Sequence, residues 1–450
     1  MILKCVKTGI NGEGIAYKDK KPVFIEGFFP DEEAEVTITA EHETYCYGAV
    51  EKLLHESSER RKPECGHQAE CGGCPLMPLK YGAQLKYKKR LLEESLYKYG
   101  NVRREFIRDV RTAEKITGYR NQCKLPVGTA DGRPVTGMYK VRSNHFVEID
   151  SCPIHEPLIE STRKQVLKLA AKHRIGAYDQ KDGKGLRYLI LRVMDEQIQC
   201  VLVTGRDTLP EAFIDDVMKI RHMCSLFQSV NTQKNTPEIF GSKLKKLAGT
   251  DTVSAGICGI RLQLSPQSFF QLNTKAAEGL YELAVSKIDP CDVLAEAYCG
   301  IGAMSLLASK KAKRVYGIES VSDAVINAAQ NAAANGIENC EFICADAAEG
   351  LRQLASEEKI DTLLLDPPRS GLDDNMVRTI LKVLPAKIIY VSCNPATLAK
   401  NLRELKKEYR LVTVIPYDMF PNTPHIESVS VLVRSGFSDA KRRRKKRAQD

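Results

Sequence analysis

Asp292-Val293-Leu294-Ala295-Glu296-Ala297-Tyr298-Cys299-Gly300-Ile301-Gly302 is an apolar run that breaks into a glycine turn. A strand at 292–297 feeding a helix at about 302–309 through Gly-x-Gly reads as the opening of a nucleotide-binding βαβ unit, because glycine lets backbone approach a ligand closely. Downstream, apolar runs recur at 314–319, 340–344, 361–366, 387–392, 411–417 and 427–433. Helical patterns at about 322–335, 347–357, 374–383 and 395–408 fall between most of them. This alternation predicts an α/β fold built on a doubly wound, seven-stranded, mostly parallel sheet of the Rossmann-like kind. Only a loop, Pro421-Asn422-Thr423-Pro424-His425, joins the last two runs, so that edge is expected to be antiparallel.

Upstream the pattern changes. Short β-like runs at 2–6, 14–17, 22–25, 35–40 and 45–53, punctuated by Gly9, Gly12, Gly14 and Gly27, suit a small OB-like β-barrel over 1–55. From 60 to 262 the reading is α+β, with helices expected at 79–99 and 157–172. The catalytic sheet is assigned to 263–437 and a basic, disordered tail to 438–450. No internal repeat is visible.

Composition is that of an ordinary soluble protein, with 43% hydrophobic and 28% charged residues. No run is long enough to span a bilayer, and Met1-Ile2-Leu3-Lys4-Cys5-Val6-Lys7 lacks the apolar core of a signal peptide, so the expected location is cytoplasmic. The net charge of +10 points toward nucleic acid. The run Lys441-Arg442-Arg443-Arg444-Lys445-Lys446-Arg447 supplies seven of those charges, which leaves about +3 for the rest.

The cofactor site is read from the same stretch. Glu319 ends the second strand, where a carboxylate can take the hydroxyls of a ribose. Ser305 stands where a dinucleotide fingerprint has its third glycine, which argues against a dinucleotide and favours S-adenosylmethionine, a cofactor with no pyrophosphate to cradle. Asp346 is placed to meet an adenine amino group or to cap the following helix. Asp366-Pro367-Pro368-Arg369 presents Asp366 rigidly at the end of the fourth strand, because successive prolines hold the chain extended. Ser392-Cys393-Asn394-Pro395 puts Cys393 at the carboxyl end of the next strand, the active edge of such a sheet. A thiolate there can attack a ring carbon, and a helix N-terminus beside it is expected to lower its pKa. Glu427, at the start of the last strand, is the candidate base.

Cys65, Cys71 and Cys74 supply three thiols among permissive glycines, and Cys152, followed by Pro153, supplies a fourth. Four thiolates suit structural zinc or an iron–sulfur cluster; the lone fourth cysteine before a proline leans toward the latter. His67, inside the motif, reads as an exposed loop residue rather than a ligand.

Together with His425-Ile426-Glu427 and Phe269-Phe270-Gln271-Leu272-Asn273, these motifs resemble those of the RNA 5-methyluridine methyltransferases over nearly the whole chain. The resemblance implies a class I S-adenosylmethionine-dependent catalytic domain, Cys393 as nucleophile, Glu427 as base, and cofactor contacts from Gln271, Tyr298, Glu319 and Asp366, beside Gly300, Gly302 and Asp346. It likens 1–55 to the TRAM RNA-binding domain and the four cysteines to the [4Fe–4S] ligands of the family's ribosomal branch. The implied activity is uracil carbon-5 methylation in 23S ribosomal RNA, on an extruded uridine. Nothing in the sequence fixes the oligomeric state, and a monomer is the default expectation. A rival expectation is the T-loop uridine of transfer RNA, whose branch generally lacks both the cysteine motif and the N-terminal barrel. Cytosine-5 methylation is disfavoured, since its proline-cysteine and threonine-cysteine pairs are absent. A non-enzymatic RNA-binding assembly factor is the remaining alternative. Glu296 departs from the family pattern, which more often has aspartate there.

Overall fold

The computed structural model describes residues 1–140, 143–234 and 236–436; the expected tail at 438–450 lies outside the described residues. Two compact units form. One comprises Met1–Lys88, Lys115–Asp251 and Phe420–Pro424; the other comprises Lys89–Glu114, Thr252–Met419 and the described residues from His425 onward. No helix among the described residues is long and apolar enough to cross a membrane.

In the first unit β1 (Ile2–Lys4), β2 (Lys7–Thr8), β3 (Gly14–Lys18), β4 (Lys21–Ile25), β5 (Glu33–Glu41) and β6 (Cys46–His55) share a sheet ordered β1-β5-β6-β4-β3-β2. The single strand expected at 2–6 is broken at Cys5, whose amide bonds to the Glu32 carbonyl while that of Val6 bonds to Ile15. The chain changes partner there, β1 pairing with β5 and β2 with β3, so one apolar run serves both edges of the sheet. Val23, Ile25, Phe28 and Val36 fill the interior.

Helix α1 (Gln68–Cys71) and the first part of α2 (Tyr81–Gly100) follow. A second sheet holds β7 (Gln122–Ala130), β8 (Arg133–Tyr139), β9 (Phe146–Glu148), β10 (Leu186–Met194), β11 (Gln197–Thr204), β12 (Met223–Val230) and β13 (Leu244–Gly249). Its order is β13-β12-β11-β10-β7-β8-β9. Helices α3 (Pro157–Lys172) and α4 (Glu211–Met218) bury Ile159, Val166, Phe213 and Val217 against Leu189, Leu191, Leu202 and Leu226. The segment Phe420–Pro424 is held in this unit by Asn422, which is fully buried at a φ of 68°. Its amide donates to Gln84 Oε1, its Nδ2 to the Ile116 carbonyl, and its Oδ1 accepts from Gln84 Nε2.

The second unit opens with a hairpin, β14 (Val253–Ile257) and β15 (Ile260–Leu264), then α5 (Thr274–Ser286). Strands β16 (Cys291–Ala297), β17 (Ala312–Glu319), β18 (Cys340–Cys344), β19 (Thr362–Leu365), β20 (Lys387–Ser392), β21 (Tyr409–Tyr417) and β22 (Glu427–Arg434) alternate with α6 (Ala303–Ala308), α7 (Ser322–Ala334), α8 (Ala347–Glu357), α9 (Asp374–Val383) and α10 (Pro395–Leu405). The sheet runs β18-β17-β16-β19-β20-β22-β21, with β22 antiparallel to both of its neighbours and the other pairs parallel. The reversed strand therefore lies one place in from the edge, not at it. Near-continuous apolar runs such as Ile388-Ile389-Tyr390-Val391 are buried, as strands covered on both faces require.

Candidate active site

Everything placed here belongs to the second unit unless stated. The turn after β16 is left-handed at Tyr298, Gly300 and Gly302, with φ of 67°, 53° and 82°. A Cβ on Gly302 would stand 2.9 Å from the Phe342 ring, whereas one on Gly300 would meet nothing within 4 Å. Gly302 thus answers to packing and Gly300 leaves open space above the turn. Glu319 braces this loop: Oε2 accepts from the Gly300 amide at 3.1 Å and Oε1 from Val321 at 3.0 Å. Asp346 caps α8, its Oδ1 accepting from Ala348 and Glu349.

Beneath the turn, Ser305 Oγ donates a short hydrogen bond to Glu296 Oε2. Burial pushes the Glu296 carboxyl up to about 8. Both departures noted in the sequence, a serine for the third glycine and a glutamate for aspartate, are therefore partners in one buried pair.

Antiparallel register sets the reactive pair. Ser392 of β20 lies opposite Ser428 of β22, so the next step along each strand brings Cys393 toward Glu427. Burial, then the Asp366 charge, push Glu427 up to about 8. Burial, then Glu427 and Asp366, push the Cys393 thiol up to about 11. The expected lowering by a helix N-terminus is thus overturned. The free amide of α10 is taken by its own cap, Asn394 Oδ1 accepting from Ala396 at 3.0 Å, and two carboxyl groups face the sulfur instead. Asp366 is itself pushed up to about 7 by burial.

Arg369 is the cation of this group. It draws both Cys393 and Glu427 toward their charged forms, and its Nη2 lies 3.4 Å from His425 Nε2. Asn394 Nδ2 donates to the Arg369 carbonyl, tying the Asp-Pro-Pro-Arg turn to the head of α10. Gln271 bonds the phenol of Tyr281 on α5, and that phenol feels the charges of Asp366, Glu296 and Glu427. Asn273 caps α5 and donates to the Met419 carbonyl. Phe269 is 76% exposed while Phe270 is buried, so only the first ring is available for stacking. Sequence reasoning missed Tyr281, and the partnership of Arg369 with the thiol and the base. The arginine was visible in its motif; the tyrosine is one polar-tipped ring on the apolar face of α5, with no motif to mark it.

The four candidate metal ligands lie in the first unit. Cys65, Cys74 and Cys152 pack against Met77, Tyr119, Ile154 and Phe420. Burial raises the Cys74 thiol, and the nearby charges of Cys152, Cys71 and Cys65 raise it further. Among the described residues no group of three or more His, Cys, Asp or Glu is arranged to hold a metal ion. His67 instead pairs its Nε2 with Asp150 Oδ1.

Residues 251–435 match the family model described as tRNA (Uracil-5-)-methyltransferase. A protein of Listeria innocua named "Uncharacterized RNA methyltransferase" is 36% identical over 431 residues, covering 94% of this chain and 95% of its own. Another of that name in Caldanaerobacter subterraneus is 36% identical over 436 residues, covering 95% and 96%. Among solved structures, the Pyrococcus abyssi tRNA (uracil-54, C5)-methyltransferase in complex with S-adenosyl-L-homocysteine has a TM-score of 0.77 at 26% identity, covering 96% of this chain and 99% of that one. The fold and site define an S-adenosylmethionine-dependent methyltransferase acting on RNA. Within that class the chain belongs to the RNA 5-methyluridine methyltransferase family.

Proposed function

We propose that the chain forms 5-methyluridine in 23S ribosomal RNA, with Cys393 as the nucleophile and Glu427 as the base. The observation that carries this reading is the register of β20 and β22, which sets a thiol beside a buried carboxyl. Carbon-5 of uracil is a weak nucleophile. Cys393 gives up its proton to solvent and adds to carbon-6 as thiolate, moving electron density onto carbon-5 and the ring oxygen, and carbon-5 then captures a methyl group. S-Adenosylmethionine, when bound, supplies that methyl in electrophilic form. Glu427 as carboxylate takes the carbon-5 proton, the ring double bond re-forms, and the carbon–sulfur bond breaks to release Cys393. Arg369 supports both charged forms through this sequence.

Gln271, Tyr298, Gly300, Gly302, Glu319, Asp346 and Asp366 would hold the cofactor, around the open space above Gly300. Cys65, Cys71, Cys74 and Cys152 would hold a [4Fe–4S] cluster. Burial, with the charges of neighbouring cysteines, raises the Cys65, Cys74 and Cys152 thiols, and a bound cationic centre would offset the cost of ionising them. Residues 1–55 would grip RNA in the manner of a TRAM domain.

A second reading has a specific observation behind it. The Pyrococcus abyssi enzyme, whose stated substrate is uracil-54 of tRNA, is alike over 96% of this chain, so the first 250 or so residues do not by themselves select ribosomal RNA. The test is to map 5-methyluridine in ribosomal and transfer RNA from cells with and without the gene. Loss in 23S RNA supports the proposal; loss confined to transfer RNA transfers it to the second reading; no loss in either overturns both. Anaerobically purified protein carrying zinc instead of iron would overturn the cluster assignment.

A further inference from the structure

The first unit contains a cavity of about 190 Å³, lined by none of the residues assigned above but by Tyr139, Tyr178, Arg187, Tyr188, Gln233 and Lys234, among others. Two strands of one sheet build its floor: Tyr139 ends β8, and Arg187 and Tyr188 lie at the start of β10. Tyr178 is held above β10 by its amide, which donates to the Leu186 carbonyl at 2.7 Å.

The arginine is fixed rather than floating. Its Nη1 donates to the Asn231 carbonyl, to Asn231 Oδ1 and to the Gln233 carbonyl at 2.8–3.1 Å. Its guanidinium carbon stands 5.4 Å from the centre of the Tyr178 ring. Tyr139 and Tyr188 both line the cavity; the Tyr139 ring stands edge-on to Phe146 with centroids 6.0 Å apart and is 49% exposed. The site therefore offers aromatic walls, a fixed guanidinium, amide hydrogen-bonding groups and an exposed lysine, Lys234.

Its volume falls short of the ~300–1,000 Å³ of a site that swallows a whole small molecule, and suits one planar ring. Aromatic faces stack on any base, guanidinium planes do the same, and a lysine beside them can meet phosphate. A protein that acts on RNA already presents such rings in its substrate. We propose that this cavity receives an unpaired base of the substrate RNA, other than the uridine that is methylated, and so contributes to how the RNA is held. The inference rests on the RNA substrate of the family, not on which RNA is modified.

Two measurements test it. Wild-type protein is photo-crosslinked to unmodified ribosomal and transfer RNA containing 4-thiouridine, and the crosslinked peptides are sequenced. Peptides bearing Tyr139, Tyr178 or Tyr188 are expected; their absence overturns the proposal, whether or not any variant folds. In parallel Tyr139→Ala and Tyr178→Ala should raise KM for whichever RNA the wild type methylates by between about 5-fold and about 150-fold, the range of one lost stacking contact. kcat and S-adenosylmethionine affinity should hold, and Tyr139→Phe should restore KM. An unmoved KM in both alanine variants overturns the proposal. Should wild-type protein methylate neither RNA, the functional reading fails and the crosslink alone decides the cavity.

Discussion

Glu427→Gln keeps the shape of the side chain and removes its charge, and it should make the protein more stable in alkali. The carboxyl has an ordinary value of 4.5 and is pushed up to about 8 in the folded protein, where it is only 8% exposed. In the unfolded chain it ionises above the lower value; in the folded protein it keeps its proton until the upper one. Between the two the folded state binds more protons, so stability falls as pH rises, and the full loss is reached above about pH 8. The gap corresponds to roughly 5 kcal/mol at ~1.4 kcal/mol per pKa unit. Asp366 beside it titrates over the same range and shares that loss, so recovery by the variant is set at ~2–5 kcal/mol. Urea unfolding of both proteins at about pH 5 and about pH 8.5 reads it directly, as the change in relative stability between the two pH values. A relative stability that is the same at both, or that shifts against the variant in alkali, would refute the claim that burial holds Glu427 protonated. Turnover should be lost in the same variant, with RNA accumulating as a covalent adduct.

Wild-type kcat/KM should climb with pH through about 8, because the base acts only as carboxylate; a profile flat from pH 6 to 9 would exclude Glu427 from that role. Cys393→Ala should lose on the order of 10⁴-fold or more in rate while binding S-adenosylmethionine as before, and with that donor present the wild type, but not the variant, should form an adduct with RNA carrying 5-fluorouridine, whose carbon-5 has no proton to surrender. Asn422→Ala removes three side-chain bonds that hold the 420–424 segment, those from Gln84 Nε2 and Arg61 Nη2 and that to the Ile116 carbonyl, at a φ of 68° that asparagine tolerates better than alanine, so a loss of ~3 kcal/mol in unfolding is expected. Gly302→Ala strains a φ of 82° and sets a methyl 2.9 Å from Phe342; calorimetry should show cofactor affinity weakened by ~1–3 kcal/mol.

The sheet was legible because its strands are buried on both faces and their apolar runs stand out against the helices between them. Helix α3 was equally plain, since Ile159, Val166 and Ala170 repeat at helical spacing around charged residues. Less local facts were hidden. The run at 2–6 gives no sign that it divides between two edges of a sheet, because that depends on which strands lie nearby. The apolar pattern told of a reversed strand but not that β22 would insert between β20 and β21. Position alone suggested an activated thiol; which charges face Cys393 depends on Glu427, distant in sequence, and on Asn394 spending its side chain on the helix cap.

That last discrepancy bears on how such a site survives between turnovers. A thiol with a value near 11 is almost wholly protonated at neutral pH, and protonated thiols neither alkylate nor oxidise readily. When it does ionise, the high value makes it a strong nucleophile. Low thiolate population and high intrinsic reactivity suit a group that must attack only a correctly seated ring and leave it afterwards. Burial and two carboxyls hold the proton on Cys393, opposed by one guanidinium, Arg369, tied through its carbonyl to the residue following the nucleophile. A bound ring that excluded water would strengthen the arginine's pull and the carboxylates' push alike, since charges interact more strongly where the dielectric is low. The balance at the sulfur therefore turns on the carboxyls: with Glu427 and Asp366 held protonated by burial, only the arginine's charge is left to favour the thiolate.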